Sequence, residues 1–308
     1  MQSNPFLHQI IPSGSLRLDY AIGCGGFPCG EYIELRGPES SGKTTLCLHS
    51  ILEAQKQGGL CAIIDSDHAI YPALTYQYQF DPERLFISQP DSAEQALNIL
   101  DSLVESGVFN LIVLDSLTSL IPQKEIELPL WKSSNISVEK LLSNKLNKLG
   151  KSISKAGTCI LFTSRSLSQI SDTYHDLSKN PSRLAIGLQA ALRLELQTGK
   201  NLHGKVWAAG RTIRIKIIKN TIHPNFIIPE FDIIMYNSKI DKLSEIISFG
   251  AQFDIIEKQN IGWRYGDLYL GNNFQDIKSY LNQHTDLADQ IEKEIRYHFK
   301  IPALTGQV

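Results

Sequence analysis

The sequence predicts an α/β fold: a central, mostly parallel, twisted sheet flanked by helices, followed by a small α+β unit. Three observations predict it. Gly37-Pro38-Glu39-Ser40-Ser41-Gly42-Lys43-Thr44 has the spacing G-x-x-x-x-G-K-[ST] of a phosphate-binding loop, set between a strand-like run, Tyr32-Ile33-Glu34-Leu35, and a helix-like stretch over 45–57. Two short apolar runs ending in acid, Leu60-Cys61-Ala62-Ile63-Ile64-Asp65 and Asn110-Leu111-Ile112-Val113-Leu114-Asp115-Ser116, have the composition of buried parallel strands. Beyond about Asn237 the pattern changes to short helices around a small hairpin.

The loop spacing answers a physical demand. Backbone N–H groups must converge on phosphate, so glycine is needed at 37 and 42, where a Cβ would obstruct the turn. The helix that follows turns its free N–H groups and positive dipole end toward the same anion. Lys43 then reaches the β- and γ-phosphates, and the Thr44 hydroxyl is placed to ligate Mg²⁺. The stretch reads as a nucleoside-triphosphate site.

Composition sets the frame. A chain of 308 residues holds one large α/β domain and a small appendage, and 42% apolar with 20% charged residues is ordinary for a soluble protein. A net charge of −2 excludes a chain-wide attraction to nucleic acid or anionic lipid, so any such site is a local patch. The five cysteines (Cys24, Cys29, Cys47, Cys61, Cys159) are odd in number and form no C-x-x-C pair, which points to reduced, unmetallated thiols and a cytoplasmic protein. The start has neither the basic segment nor the apolar core of a signal peptide, and no apolar run approaches the ~18 residues of a membrane span.

Residues 1–12 read as a short polar segment, 13–236 as the nucleotide-binding core and 237–308 as the small C-terminal domain. Ser13 through Ile22 reads as a serine-capped helix, and Gly23 to Gly30 as a glycine-rich connection. Gly58-Gly59 ends the helix after the phosphate loop. A strand is expected over 84–88, then a helix opened by a capping box at Asp91-Ser92-Ala93-Glu94-Gln95 and closed by Gly107. Asp115 ends the clearest strand, either as a Mg²⁺ ligand or as the N-cap of a following helix. A helix over 137–155 carries Leu142, Leu146, Leu149 and Ile153 on one face. Lys140, Lys148, Lys151 and Lys155 gather opposite, as a solvated face or as a track for a phosphate backbone. Further strands are expected over 158–163, 191–197, 212–219 and 231–235, with a long polar connection over 164–190 and a final amphipathic helix over 285–299.

The chain resembles the bacterial RecA recombinases. The likeness is carried by Ile11-Pro12-Ser13-Gly14-Ser15-Leu16, by the loop in its full form Gly-Pro-Glu-Ser-Ser-Gly-Lys-Thr-Thr (37–45), and by Ile64-Asp65-Ser66-Asp67-His68-Ala69. Val113-Leu114-Asp115-Ser116 and Lys216-Ile217-Ile218-Lys219-Asn220 extend it, and it covers about residues 10–300. The resemblance implies a RecA-type nucleotide-binding core with ATP and Mg²⁺ as cofactors, and single-stranded DNA as partner. It also implies self-association or pairing with another RecA-family protomer, and work in DNA repair, recombination and the SOS response to DNA damage. Gly37 through Thr45 and Arg165 would contact nucleotide, Thr44 and Asp115 would hold the metal, and Lys43, Asp67 and Lys219 would act in catalysis.

Several positions depart from the family. Asp67 stands where a glutamate usually activates water, one methylene shorter, so weakened hydrolysis is expected; its other reading is a turn cap. Ser164-Arg165 replaces Asn-Gln, the pair that senses the γ-phosphate. Lys219 matches the first of two lysines that reach a neighbour's ATP, and Thr221 replaces the second. The two DNA-loop regions, around Leu128 to Ser133 and Asn180 to Arg183, are unlike the family's, and about ten residues precede the core where the family has an oligomerisation arm. Two functions are therefore expected in competition. One is an ATP-dependent, single-stranded-DNA-binding recombinase. The other is a paralogue that binds ATP structurally and acts by contacting a repair-protein partner. A hexameric helicase of the same core is disfavoured by the C-terminal likeness.

Overall fold

The computed structural model describes residues 9–70, 77–129, 138–165, 189–202, 210–223, 229–236, 239–259 and 262–299. Most of the expected long connection over 164–190 (its residues 166–188), residues 130–133 and 180–183 of the stretches compared with DNA loops, and the first eight residues lie outside them.

The chain opens with β1 (Ile10–Ile11), α1 (Leu16–Ile22) and β2 (Phe27–Pro28), which pairs with β1. The cap of α1 is Ser15 rather than Ser13: Ser15 accepts from the Leu18 N–H, whereas Ser13 donates to Asp19 at 2.6 Å. Next come β3 (Tyr32–Gly37), α2 (Lys43–Lys56), β4 (Cys61–Asp65), β5 (Leu85–Ser88), α3 (Ala93–Ser106) and β6 (Leu111–Asp115). Ser92 caps α3 by accepting from Gln95 N–H, the Gln95 side chain accepts from Asp91 N–H one residue before the cap rather than from Ser92, and Gly107 closes α3 in the left-handed region. A short α4 (Gln123–Ile126) precedes α5 (Val138–Ala156) and β7 (Cys159–Arg165). Then come β8 (Leu192–Leu202), β9 (Gly210–Asn220), β10 (Glu230–Tyr236) and β11 (Lys239–Ile240).

These strands form one sheet of order β11-β10-β9-β8-β3-β7-β6-β4-β5. From β8 to β5 neighbours run parallel, and β8, β9, β10 and β11 alternate antiparallel. The apolar runs explain the layering. Successive side chains of a strand face opposite ways, so a strand buried on both faces is apolar throughout. Ile33, Leu35, Ile63, Val113 and Leu161 join one buried cluster with Leu46, Cys47 and Ile51 of α2. Their alternates Tyr32, Ala62, Ile64, Ile112, Leu114, Ile160 and Phe162 join a second cluster with α3 and α5, where Leu142, Leu146, Leu149 and Ile153 sit as the sequence predicts. The β9 strand alternates buried Ile213, Ile215 and Ile217 with exposed Arg214, Lys216 and Ile218.

The remaining elements are α6 (Lys242–Gln252), the three-stranded antiparallel sheet β12 (Glu257–Gln259), β13 (Gly262–Tyr265) and β14 (Leu268–Gly271), α7 (Phe274–Gln283) and α8 (Thr285–His298). They share a third apolar cluster, which Leu16 of α1 enters.

A buried ionic network ties this cluster to α2. Lys242 Nζ lies 2.9 Å from both Glu53 of α2 and Glu292 of α8. Arg296 bonds Glu292 and Asp19 at 2.9 and 2.8 Å and donates to the Gly25 carbonyl. Burial works against the Glu53 carboxylate, yet Lys242 and Lys56 bring it down to about 2. Such a network is costly to break from one side, because the remaining charge is left buried and unpaired.

Glu245 of α6 is met mainly by hydrogen bonds, with the Arg17 charge adding a smaller pull. It accepts from Ser15 Oγ at 2.8 Å and Arg17 N–H at 3.3 Å, and burial raises it from 4.5 to about 7, against those hydrogen bonds. A carboxyl raised on folding stabilises fully below its unfolded value and loses that contribution as pH climbs through its folded value. We expect urea midpoints of the wild type to fall between about pH 5 and about pH 8 relative to Glu245→Gln, by a stability difference on the order of 3 kcal/mol. Parallel pH curves for the two proteins would remove Glu245 as the source.

Candidate nucleotide site

Strands β3, β4, β6 and β7 are parallel neighbours, so their carboxyl ends, and the loops leaving them, lie on one edge of the sheet. This is the edge on which open α/β sheets bind ligands. The phosphate loop leaves β3 there. Gly37 runs so close to β8 that a Cβ would stand 2.2 Å from the Leu196 carbonyl oxygen and 2.7 Å from Ser41 Oγ. Gly42 caps α2 at φ +92°, a conformation that favours glycine. Both glycines therefore stand where the spacing demands them, though the crowding atom at 37 belongs to a strand far away in sequence.

Lys43 begins α2 and folds its side chain back over the loop. Its Nζ donates to the Gly37 and Pro38 carbonyls at 2.9 and 2.7 Å and lies 3.4 Å from Ser41 Oγ. Burial lowers the Lys43 ammonium and Asp115 acts against that shift. Thr44 Oγ1 donates to Asp115 Oδ2 at 2.6 Å, and Thr163 Oγ1 from β7 donates to the other oxygen, Oδ1. Asp115 is 4% exposed. Burial pushes its carboxyl above the usual range; the two threonine hydroxyls oppose the rise, and Asp67 and Asp65 add to it. A hard oxygen pair, one buried carboxylate and one hydroxyl, fits Mg²⁺, which is commonly held by one or two protein oxygens with phosphates completing its shell. Asp65 is already occupied by the Ala69 and Ile70 N–H groups and by Gln89.

Asp67 follows β4 in the turn over Asp115, whose carbonyl accepts from Ser66 N–H at 2.8 Å. The Asp67 Oδ1 accepts from Ser119 Oγ, and Arg165 Nη2 lies 3.5 Å from the same oxygen. Arg165 Nη1 also donates to Glu39 Oε1 on the loop at 2.6 Å. The β3–β7 register, which pairs Gly37 with Arg165, explains this position.

The fold thus brings Glu39, Lys43, Thr44, Asp67, Asp115 and Arg165 together. Lys219 is elsewhere. It sits on β9 opposite Arg193, which is itself opposite Glu34, so it lies level with the middle of β3 and short of the loop at Gly37. Thr163 and Ser119 are the partners that sequence reading missed. Thr163 carries one visible signal, a polar residue ending an apolar strand. Ser119 has none, because its contact with Asp67 spans 52 residues.

The family model described as the RecA N-terminal domain matches residues 2–241. Protein RecA of Rickettsia canadensis (strain McKiel) is 38% identical over 288 residues, covering 94% of this chain and 84% of the relative. Protein RecA of Oceanobacillus iheyensis is 38% identical over 291 residues with the same coverage, and that of Bacillus pumilus is 38% identical over 289 residues, 94% of this chain and 83% of its own. With the phosphate loop and the sheet that carries it, these likenesses establish that the chain belongs to the RecA family of recombination and repair proteins.

Proposed function

We propose that the protein binds ATP with Mg²⁺, coats single-stranded DNA in an ATP-dependent way and promotes homologous pairing in repair. The observation that carries this reading is the convergence of Lys43, Thr44, Asp67 and Asp115 on one sheet edge in a RecA-family chain. Lys43 exchanges the Gly37 and Pro38 carbonyls for phosphate oxygens, a stronger, charge-assisted contact. Thr44 and Asp115 would hold Mg²⁺, which when bound would supply neutralisation of phosphate charge. Asp67 takes a proton from the attacking water, reaching it directly or through a second water.

Lys219 serves a neighbouring protomer, either a second copy or another RecA-family protein. Its distance from the chain's own loop favours that assignment. Lys148, Lys151 and Lys155 are exposed on α5, which suits a track for a DNA backbone. We read 13–236 as the core and 237–308 as a separate domain, working in the cytoplasm. Among the described residues no helix is long and apolar enough to cross a membrane.

One observation favours a second reading, a regulatory relative that binds ATP structurally and acts through a repair-protein partner. Asp67 is engaged by Ser119 and Arg165, so the oxygen that would have to meet the attacking water already faces two donors.

Steady-state ATP hydrolysis with and without single-stranded DNA separates the two. We expect stimulation by DNA, and we expect Lys43→Ala to weaken MgATP binding roughly 10- to 100-fold, the worth of a charge-assisted contact. Unchanged affinity in Lys43→Ala would refute the nucleotide site. If Asp67 is short for its task, Asp67→Glu should raise kcat about ten-fold, within the range of general-base catalysis. Tight ATP binding with no turnover in either protein would establish the second reading.

A further inference from the structure

Arg165 spans the mouth of the phosphate loop between two carboxylates, Glu39 at 2.6 Å and Asp67 at 3.5 Å. The Glu39 side chain is 73% exposed and that of Arg165 47%, so the Glu39–Arg165 pair is a solvated one that contributes little to stability and exchanges readily. Asp67, at 23%, is more enclosed. The cation also lies near Lys43: burial first, and then the Arg165 charge, lower that ammonium, with Asp115 opposing.

We propose that Glu39 and Arg165 form an exchange latch: Glu39 holds the guanidinium until a terminal phosphate displaces it, and the same transfer takes Arg165 off Asp67. This rests on the nucleotide reading above. A terminal phosphate offers more charge and more acceptor oxygens to a guanidinium fork than a solvated carboxylate does, so it wins the exchange. A diphosphate lacks that group and leaves the latch closed. Arg165 thereby supplies preference for the triphosphate, Glu39 sets its threshold by competing, and Asp67 loses one of its two donors only when the triphosphate is present. No covalent bond changes. The equilibrium moves only by the difference in affinity between the two latch states.

The test is a double-mutant cycle read as the ratio of affinities for the non-hydrolysable imido analogue of ATP and for ADP, both with Mg²⁺, on the full chain. Glu39→Gln should raise the ratio about three-fold, the worth of an exposed ion pair. Arg165→Gln should lower it about ten-fold or more. In the Arg165→Gln background, Glu39→Gln should have no further effect. Both positions are exposed, so melting curves are expected to match the wild type. A ratio unmoved by Glu39→Gln, or moved equally in both backgrounds, overturns the latch and leaves the nucleotide reading intact. Absence of any nucleotide binding by the wild type removes both.

Discussion

The buried carboxylate of Asp115 is the interaction on which the site depends. It lies at the end of a strand with almost no access to water, and it is kept in hydrogen bonds by two hydroxyls, one from the first turn of α2 and one from the neighbouring strand β7. A buried acceptor left without donors is expensive, so α2, β6 and β7 are held in one relative position by a single group. The phosphate loop inherits that position because it is the link between β3 and α2. Burial raises the Asp115 carboxyl, and two further acids, Asp67 and Asp65, add to that rise.

The far half of α2 is held differently. His49 accepts from the Ile240 N–H at 3.0 Å, and burial pushes its imidazole down to about 4, so it stays neutral and able to accept. One turn on, Glu53 meets Lys242, which joins Glu292 and, through it, Arg296 and Asp19. The helix that begins at the phosphate site therefore ends in an ionic network shared with α6, α8 and α1. Any shift of α2 along its axis on phosphate binding would strain that network, because buried ionic partners tolerate little change in geometry.

Much of the fold was legible because its signals are local. Apolar strands such as 61–65 and 111–115 stand out by composition, since a strand covered on both faces cannot alternate. The leucines of α5 and the serine cap of α3 show their period or spacing within a few turns. The serine cap expected for the 13–22 run is there as well, and the turn geometry gives it to Ser15 and turns Ser13 to the buried Asp19. The ionic network had no such signal, because its pairs Glu53–Lys242 and Asp19–Arg296 join residues 189 and 277 positions apart, and only Glu292–Arg296 lies within one helix.

By itself the sequence determined the class of fold, the phosphate loop and the identity of Lys43, Thr44 and Asp115, because glycine spacing, strand composition and helix onset are properties of short segments. It also singled out Asp67 and Arg165, as positions where the resemblance implied a departure. Only the tertiary structure decided what those two residues meet. Parallel pairing of β3 with β7 set Arg165 beside Gly37 and within reach of Glu39, and the turn above β6 brought Ser119 to Asp67. Register between strands distant in the chain arises from the packing of both faces of the sheet at once, and no local pattern encodes it.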